Sequence, residues 1–228
     1  CSRRGRQRSL RRAGRADVCS SDLGRRSLGL GARKLRLEDS QAAAAGQIRL
    51  AHAYHESLAR HGVPVAQILL TGDDTERRRR YLNARNTLTA LLKHGSVPVV
   101  NENDTVATQE IRYGDNDRLG ARVAEMVSAD CLVLLSDVDG LYDADPTENS
   151  SAQLIPEVRE ITPELEALAG ESRTAYGSGG MATKLAAARI CMSAGCATLI
   201  TDGRKVLPLR AVTEGANCTW FLPSKTPL

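Results

Sequence analysis

The feature that most constrains this chain is an alternation of pattern, in which short apolar runs rich in branched residues recur between longer segments with helical signals. The runs are VAQILL (Val65 to Leu70), VPVVNEN (Val97 to Asn103), CLVLL (Cys131 to Leu135) and CATLITDG (Cys196 to Gly203). Around them stand Ser40 to Gly62, Asp73 to Gly95, Asn116 to Ala129 and Gly177 to Gly195. Strand-length runs separated by helix-length segments predict an α/β layered sheet. Parallel strands joined this way cross over right-handed and leave their C-terminal ends on one edge, where such sheets bind ligands. Asn101 to Asp104, Ser136 to Asp139 and Thr201 to Gly203 are therefore expected to converge there.

Local signals support the helical segments. Ser40 is expected to cap the first and Gly62 to end it. Asp73 to Gly95 opens on acids and closes on Lys93, His94 and Gly95, matching the helix dipole. Its four consecutive arginines, Arg77 to Arg80, wrap around a helix and predict a solvated, salt-bridged face in preference to a phosphate clamp.

With 228 residues, 42% of them hydrophobic and 25% charged, the chain can bury one substantial core, so a single globular domain is the default. Six cysteines occur with no CxxC pair, which argues against a zinc site or a disulfide framework and for reduced cytosolic thiols. No apolar run reaches the roughly 18 residues of a membrane span, and no signal peptide is legible, so a cytoplasmic protein is expected. The formal charge of +4 is local: residues 1–16 hold seven arginines and no acid, leaving the remainder net acidic. An anion-binding arm and an unstructured leader both fit that stretch, though it carries no aromatic to stack on bases. Aromatics are 3% overall, so no base-stacking surface is expected and nucleic acid is not anticipated as a partner.

Two stretches carry chemistry. VNENDTVATQEIRYGDNDRLGARVAEM crowds Asn101, Asn103, Asp104, Asp115, Asn116 and Asp117 around one apolar run, at a strand end and a helix start. The loop G177-S-G-G-M-A-T-K184 has the physics of an anion site, since glycines let amides approach phosphate oxygens at the positive end of a helix and Lys184 adds a point charge. It does not match a Walker P-loop, and a glycine-rich helix cap explains it equally well.

Taken together, NENDTVATQEIRYGDNDRLGA, LLSDVDGLYDADP and GSGGMATKLAAARI, in this order and spacing, resemble the glutamate 5-kinases of the amino acid kinase family. The resemblance runs from Gly24 to Leu228. It implies the family's three-layer α/β/α sandwich with a mainly parallel sheet, and ATP-dependent phosphorylation of the γ-carboxylate of L-glutamate, the first step of proline biosynthesis. By that likeness Asp104 and Asn116 bind glutamate, with Asn101 lining the pocket, and Asp117 and Asp115 help order the substrate, the lysine and the Mg²⁺ hydration shell. Ser136, Asp137, Ser178, Gly179, Gly180, Met181, Ala182, Thr183 and Lys184 contact ATP, and Lys184 and Asp117 are the catalytic pair. Mg²⁺ accompanies the nucleotide with no protein ligand assigned directly. L-glutamate and ATP are the implied partners, with proline as inhibitor and a homo-oligomer as the assembly.

The chain departs from the family pattern at both ends. Neither the phosphate-binding lysine motif nor the Ser-Gly loop is legible before Gly24, so residues 1–23 are read as an Arg-rich leader and 24–228 as an N-terminally shortened kinase domain. A PUA domain, common beyond this point in the family, is not legible either. The alternatives are a catalytically impaired fragment that binds nucleotide alone, or an amino acid kinase with another acceptor.

Overall fold

The computed structural model describes residues 36–106, 116–146, 148–149, 151–171 and 180–224, which divide between two compact units, 36–106 and 116–224. The Arg-rich leader lies outside the described residues.

The first unit contains α1 (Arg36–Ala59), β1 (Val65–Leu70), α2 (Gly72–Glu76), α3 (Arg78–Lys93) and β2 (Val97–Glu102). β1 and β2 are parallel, in register from Val65↔Val97 to Leu70↔Glu102, so α2 and α3 form the crossover that parallel pairing requires. Leu88 of α3 is fully buried, and the Gln47 amide of α1 donates to the Glu102 carbonyl at 3.0 Å.

Two expectations are corrected here. α1 already includes Arg36 to Asp39, so Ser40 lies inside the helix and does not cap it; Arg36, Leu37 and Glu38 are good helix formers and carry the pattern upstream. The segment expected as one helix from Asp73 breaks at Arg77, which is extended at φ −80° and ψ 115°. The break turns Arg77 and Arg80 onto the preceding acids: Arg77 lies 3.1 Å from Asp73, and Arg80 lies 3.9 Å from Asp73 and 3.4 Å from Asp74. Pairing two of four adjacent guanidiniums relieves their mutual repulsion, and all four side chains stay in solvent as expected.

The second unit contains α4 (Asn116–Met126), β3 (Cys131–Ser136), β4 (Leu141–Tyr142), β5 (Leu154–Ile155), β6 (Glu157–Val158), α5 (Pro163–Glu171), α6 (Met181–Ser193), β7 (Ala197–Asp202), α7 (Pro208–Thr213) and β8 (Cys218–Phe221). Four strands form a sheet in the order β3-β7-β8-β6. β3 and β7 are parallel, from Cys131↔Ala197 to Ser136↔Asp202, whereas β8 runs antiparallel to β7. The core lies where α4 and α6 pack together over this sheet, through Ala121, Ala124, Leu134, Leu185, Ala187, Ala188, Cys191, Ile200 and Phe221. The alanines let these helices approach each other closely, while a Cβ on Gly120 would make only ordinary contact with Leu132, at 3.5 Å. The continuous apolar run of β3 predicts a fully buried strand, yet Cys131 is exposed and Leu135 is 52% exposed. Alternate residues of a strand face opposite sides, and the core occupies the side of Leu134. Among the described residues no helix is long and apolar enough to cross a membrane.

Candidate active site

Short turns, 127–130 and 194–196, return α4 to β3 and α6 to β7. A helix of this length spans about 16 to 20 Å and a six-residue strand about 20 Å. Each helix therefore starts where its strand ends, and the four termini share one edge of the unit.

At that edge Asn116 is the exposed first residue of α4 and Asp117 the second. The Asp117 carboxylate reaches the start of α6: its Oδ2 accepts from Lys184 Nζ at 3.1 Å and lies 2.9 Å from Thr183 Oγ1, within hydrogen-bond range. Lys184 is buried at 7% exposure, with its ammonium at the first turn of a helix. That position is electrostatically unfavourable for a cation, because the helix start already carries partial positive charge. A buried ammonium there calls for anionic partners, of which Asp117 is one. Gly180, extended at φ −76° and ψ −177°, is the N-cap and supplies no capping side chain. Met181 and Ala182 follow as the first residues of α6.

The ends of β3 and β7 are locked together. The Gly203 amide donates to the Ser136 carbonyl at 2.7 Å, and a Cβ on Gly203 would lie 2.8 Å from the Leu135 Cβ, so only glycine fits there without a shift. Ser136 Oγ donates to Asp137 Oδ1 at 3.1 Å, with Ser136 buried and Asp137 exposed. Next to them Asp139 accepts from the Tyr142 hydroxyl at 3.1 Å and from Asn217 Nδ2 at 2.9 Å. Burial, and then the Asp139 carboxylate, push the Tyr142 hydroxyl above its ordinary pKa. Asp202 accepts three hydrogen bonds from Arg204, from its amide at 2.9 Å, Nε at 2.8 Å and Nη2 at 3.1 Å. Those bonds hold the Asp202 carboxyl below the usual carboxylate range and raise Arg204 further.

The structure thus brings together Asp117, Thr183 and Lys184, and sets Ser136 and Asp137 on the same edge with Gly180, Met181, Ala182 and Asn116. The expected convergence of Ser136 to Asp139 with Thr201 to Gly203 is present in the register Ser136↔Asp202. Asn101 and Asp104 belong to the other unit, Asn101 in β2 and Asp104 in the turn after it, where the Asn103 amide still donates to the Leu70 carbonyl at 2.8 Å. Asp115, Ser178 and Gly179 lie outside the described residues. Sequence reasoning passed over the Asp202–Arg204 fork and the Asp139–Tyr142–Asn217 group. A signal existed for the first, an acid two residues before an arginine at a strand end, but Asn217 is 78 residues from Asp139 and carries no local cue. Among the described residues no group of three or more His, Cys, Asp or Glu side chains is placed to hold a metal ion.

The sequence profile of the amino acid kinase family matches residues 8–202. Among curated proteins, the chain is 65% identical over 206 residues to a glutamate 5-kinase of Paramagnetospirillum magneticum, covering 90% of this chain and 55% of that protein. It is 59% identical, with the same coverage, to a glutamate 5-kinase of Rhodospirillum rubrum. The chain spans about half the length of the curated relatives it matches. Among solved structures it resembles a carbamate kinase from Giardia lamblia bound to AMP-PNP, with a TM-score of 0.57 at 12% identity, covering 90% of this chain and 79% of that one. An isopentenyl phosphate kinase from T. acidophilum in a product complex gives a TM-score of 0.56 at 16% identity, covering 87% and 78%. At such identities the likeness speaks to the fold, an α/β sandwich with a mainly parallel sheet.

Proposed function

Because the chain belongs to the amino acid kinase family, we propose that it carries the phosphoryl-transfer site of a glutamate 5-kinase, moving the γ-phosphoryl of ATP onto the γ-carboxylate of L-glutamate. The observation that carries the reading is the buried Lys184 at the start of α6, paired with Asp117 across 67 residues of sequence. A cation held where the helix dipole is already positive suits a group of dense negative charge, such as the β- and γ-phosphates.

Two anions must meet in this reaction. A carboxylate oxygen attacks the γ-phosphorus in line, the bond from that phosphorus to the β,γ-bridging oxygen breaks, and ADP leaves with the electron pair. The nucleophile is already ionised near neutral pH, so no general base is required. The protein's task is positioning and charge neutralisation. Lys184 neutralises the transferring group, while the amides from Gly179 to Thr183, with Ser178, receive phosphate oxygens. Ser136 and Asp137 contact the nucleotide. For glutamate the resemblance names Asp104 and Asn101 in the first unit and Asn116 in the second: a carboxylate suits an α-ammonium and amides suit an α-carboxylate.

The donor set fits a Mg²⁺ that arrives on the nucleotide, since Asp117 and Asp137 are single carboxylates on separate elements and Mg²⁺ uses one or two carboxylates plus phosphates and water. When bound it supplies charge neutralisation at the β- and γ-phosphates. The same reading carries proline as a competing ligand, a homo-oligomeric assembly and a cytoplasmic setting.

The test traps the acyl phosphate with hydroxylamine. Hydroxamate that forms only with both ATP and L-glutamate supports the reading; transfer to another acceptor with none to glutamate would refute it. Asp104→Ala is expected to lower glutamate kcat/KM about 100-fold or more while MgATP still binds, and unchanged glutamate kinetics would remove Asp104 from the site.

A further inference from the structure

The Thr183 hydroxyl stands between two acceptors. Its Oγ1 lies 2.9 Å from Asp117 Oδ2 and 2.8 Å from the Gly180 carbonyl, both within hydrogen-bond range. A hydroxyl has one proton, so it donates to one of these oxygens at a time. Gly180 O is already served by the Thr183 amide at 3.1 Å, whereas Asp117 Oδ2 is served by Lys184 Nζ at 3.1 Å. The acceptor that stands to lose its partner is therefore the carboxylate. An ammonium drawn toward a phosphate loosens its hold on Asp117, and a part-buried carboxylate deprived of a donor is costly.

We propose that Thr183 is a positioning residue whose hydroxyl transfers its hydrogen bond from the Gly180 carbonyl to Asp117 as Lys184 engages the nucleotide phosphates, keeping the carboxylate aimed while the lysine works. The inference rests on the reading that this site binds a nucleoside triphosphate. It deepens that reading, because it gives the side chain of Thr183 a role separate from that of its amide. Rotation of the hydroxyl about the Cβ–Oγ1 bond turns the proton from one oxygen to the other without moving Oγ1 or the backbone.

The experiment compares four forms of the full chain, the parent, Thr183→Val, Thr183→Ser and Asp117→Asn, together with the Thr183→Val/Asp117→Asn pair. MgATP binding is measured by calorimetry, phosphoryl transfer by hydroxamate formation, and melting temperature without nucleotide. Thr183→Ser keeps the hydroxyl and is expected within about twofold of the parent, whereas Thr183→Val is expected to lose about tenfold in kcat with ATP KM changed less than threefold. Added to Asp117→Asn, the valine is expected to cost at most about twofold further, the non-additivity that a direct contact gives. A purely structural threonine would lower the melting temperature without this split of kcat from KM and without rescue by serine. Thr183→Val turning over like the parent, or losing the same factor when combined with Asp117→Asn, overturns the inference alone. A parent that binds no MgATP overturns the nucleotide reading and the inference together, because nothing then draws Lys184 from Asp117.

Discussion

At the start of α2, Thr71 and Asp74 close the first turn upon itself, whereas at the start of α6 Gly180 offers no side chain and the turn carries a buried lysine. The Asp74 carboxylate accepts from the Thr71 amide at 2.8 Å and from its hydroxyl at 2.7 Å, a self-contained cap. The α6 start instead finds its polar partner in another element, Asp117 of α4. One helix start is finished locally and contributes stability; the other, on the function proposed above, is left open to an anion from outside. A helix that leaves its N-terminus to a ligand gives up the stabilisation of a side-chain cap, roughly 1 kcal/mol, for chemistry at that point.

The contrast can be broken most severely at the lysine. Lys184→Ala is expected to lower phosphoryl transfer about 1,000-fold or more, measured as hydroxamate formed at saturating ATP and glutamate, and retention of a tenth of the activity would place the cation elsewhere. Gly180→Ala sharpens the contrast from the same end. A Cβ at Gly180 meets nothing within 4 Å and φ is negative, so the melting temperature should hold within about a degree while MgATP affinity falls several-fold through loss of close backbone approach. The mirror experiment is Asp74→Ala, which should cost about 1 kcal/mol, or roughly 2 to 4 °C, in thermal melting and leave MgATP affinity unchanged. Should both substitutions move stability alike and spare nucleotide, the two helix starts would not differ in kind.

The smallest effect is at the strand edge. Arg204 depresses the Asp202 pKa in the folded chain, so its contribution is fully present above the ordinary carboxylate value near 4 and is lost as pH falls through the lower folded value. The melting-temperature gap between parent and Asp202→Asn should therefore narrow on acidification from about pH 5 to 3. Arg204 is half exposed, which keeps the gap small, and a gap constant across that range would contradict the assignment.

The strand and helix alternation was legible because a parallel pair such as β3 and β7 needs apolar runs joined by helices, and both runs stand in the sequence as written. The break at Arg77 was not, since arginine is a good helix former and the interruption depends on which acids its guanidinium finds. Nor was the exposure of Leu135, which follows from the side of the strand that α4 and α6 cover. In the site, Lys184 and Asp117 could be named separately, one from a glycine-rich loop and the other from a helix start. Their meeting through a single carboxylate oxygen, with Thr183 beside them, is set by the packing of α4 on α6. Asn217 joins Asp139 because β8 folds back beside β7, and nothing within reach along the chain announces it.

β7 lies between β3 and β8, and Thr198, Leu199, Ile200 and Thr201 are all buried. Amides paired on both flanks and shielded in this way exchange with solvent deuterium only when the whole unit opens, so β7 should be among the last segments to label. The edge that holds Ser136, Asp202 and the start of α6 is anchored to that strand. Its lifetime in the assembled shape is then the lifetime of the fold, and slow labelling of β7 would be an early sign that the phosphate end of the proposed site is intact.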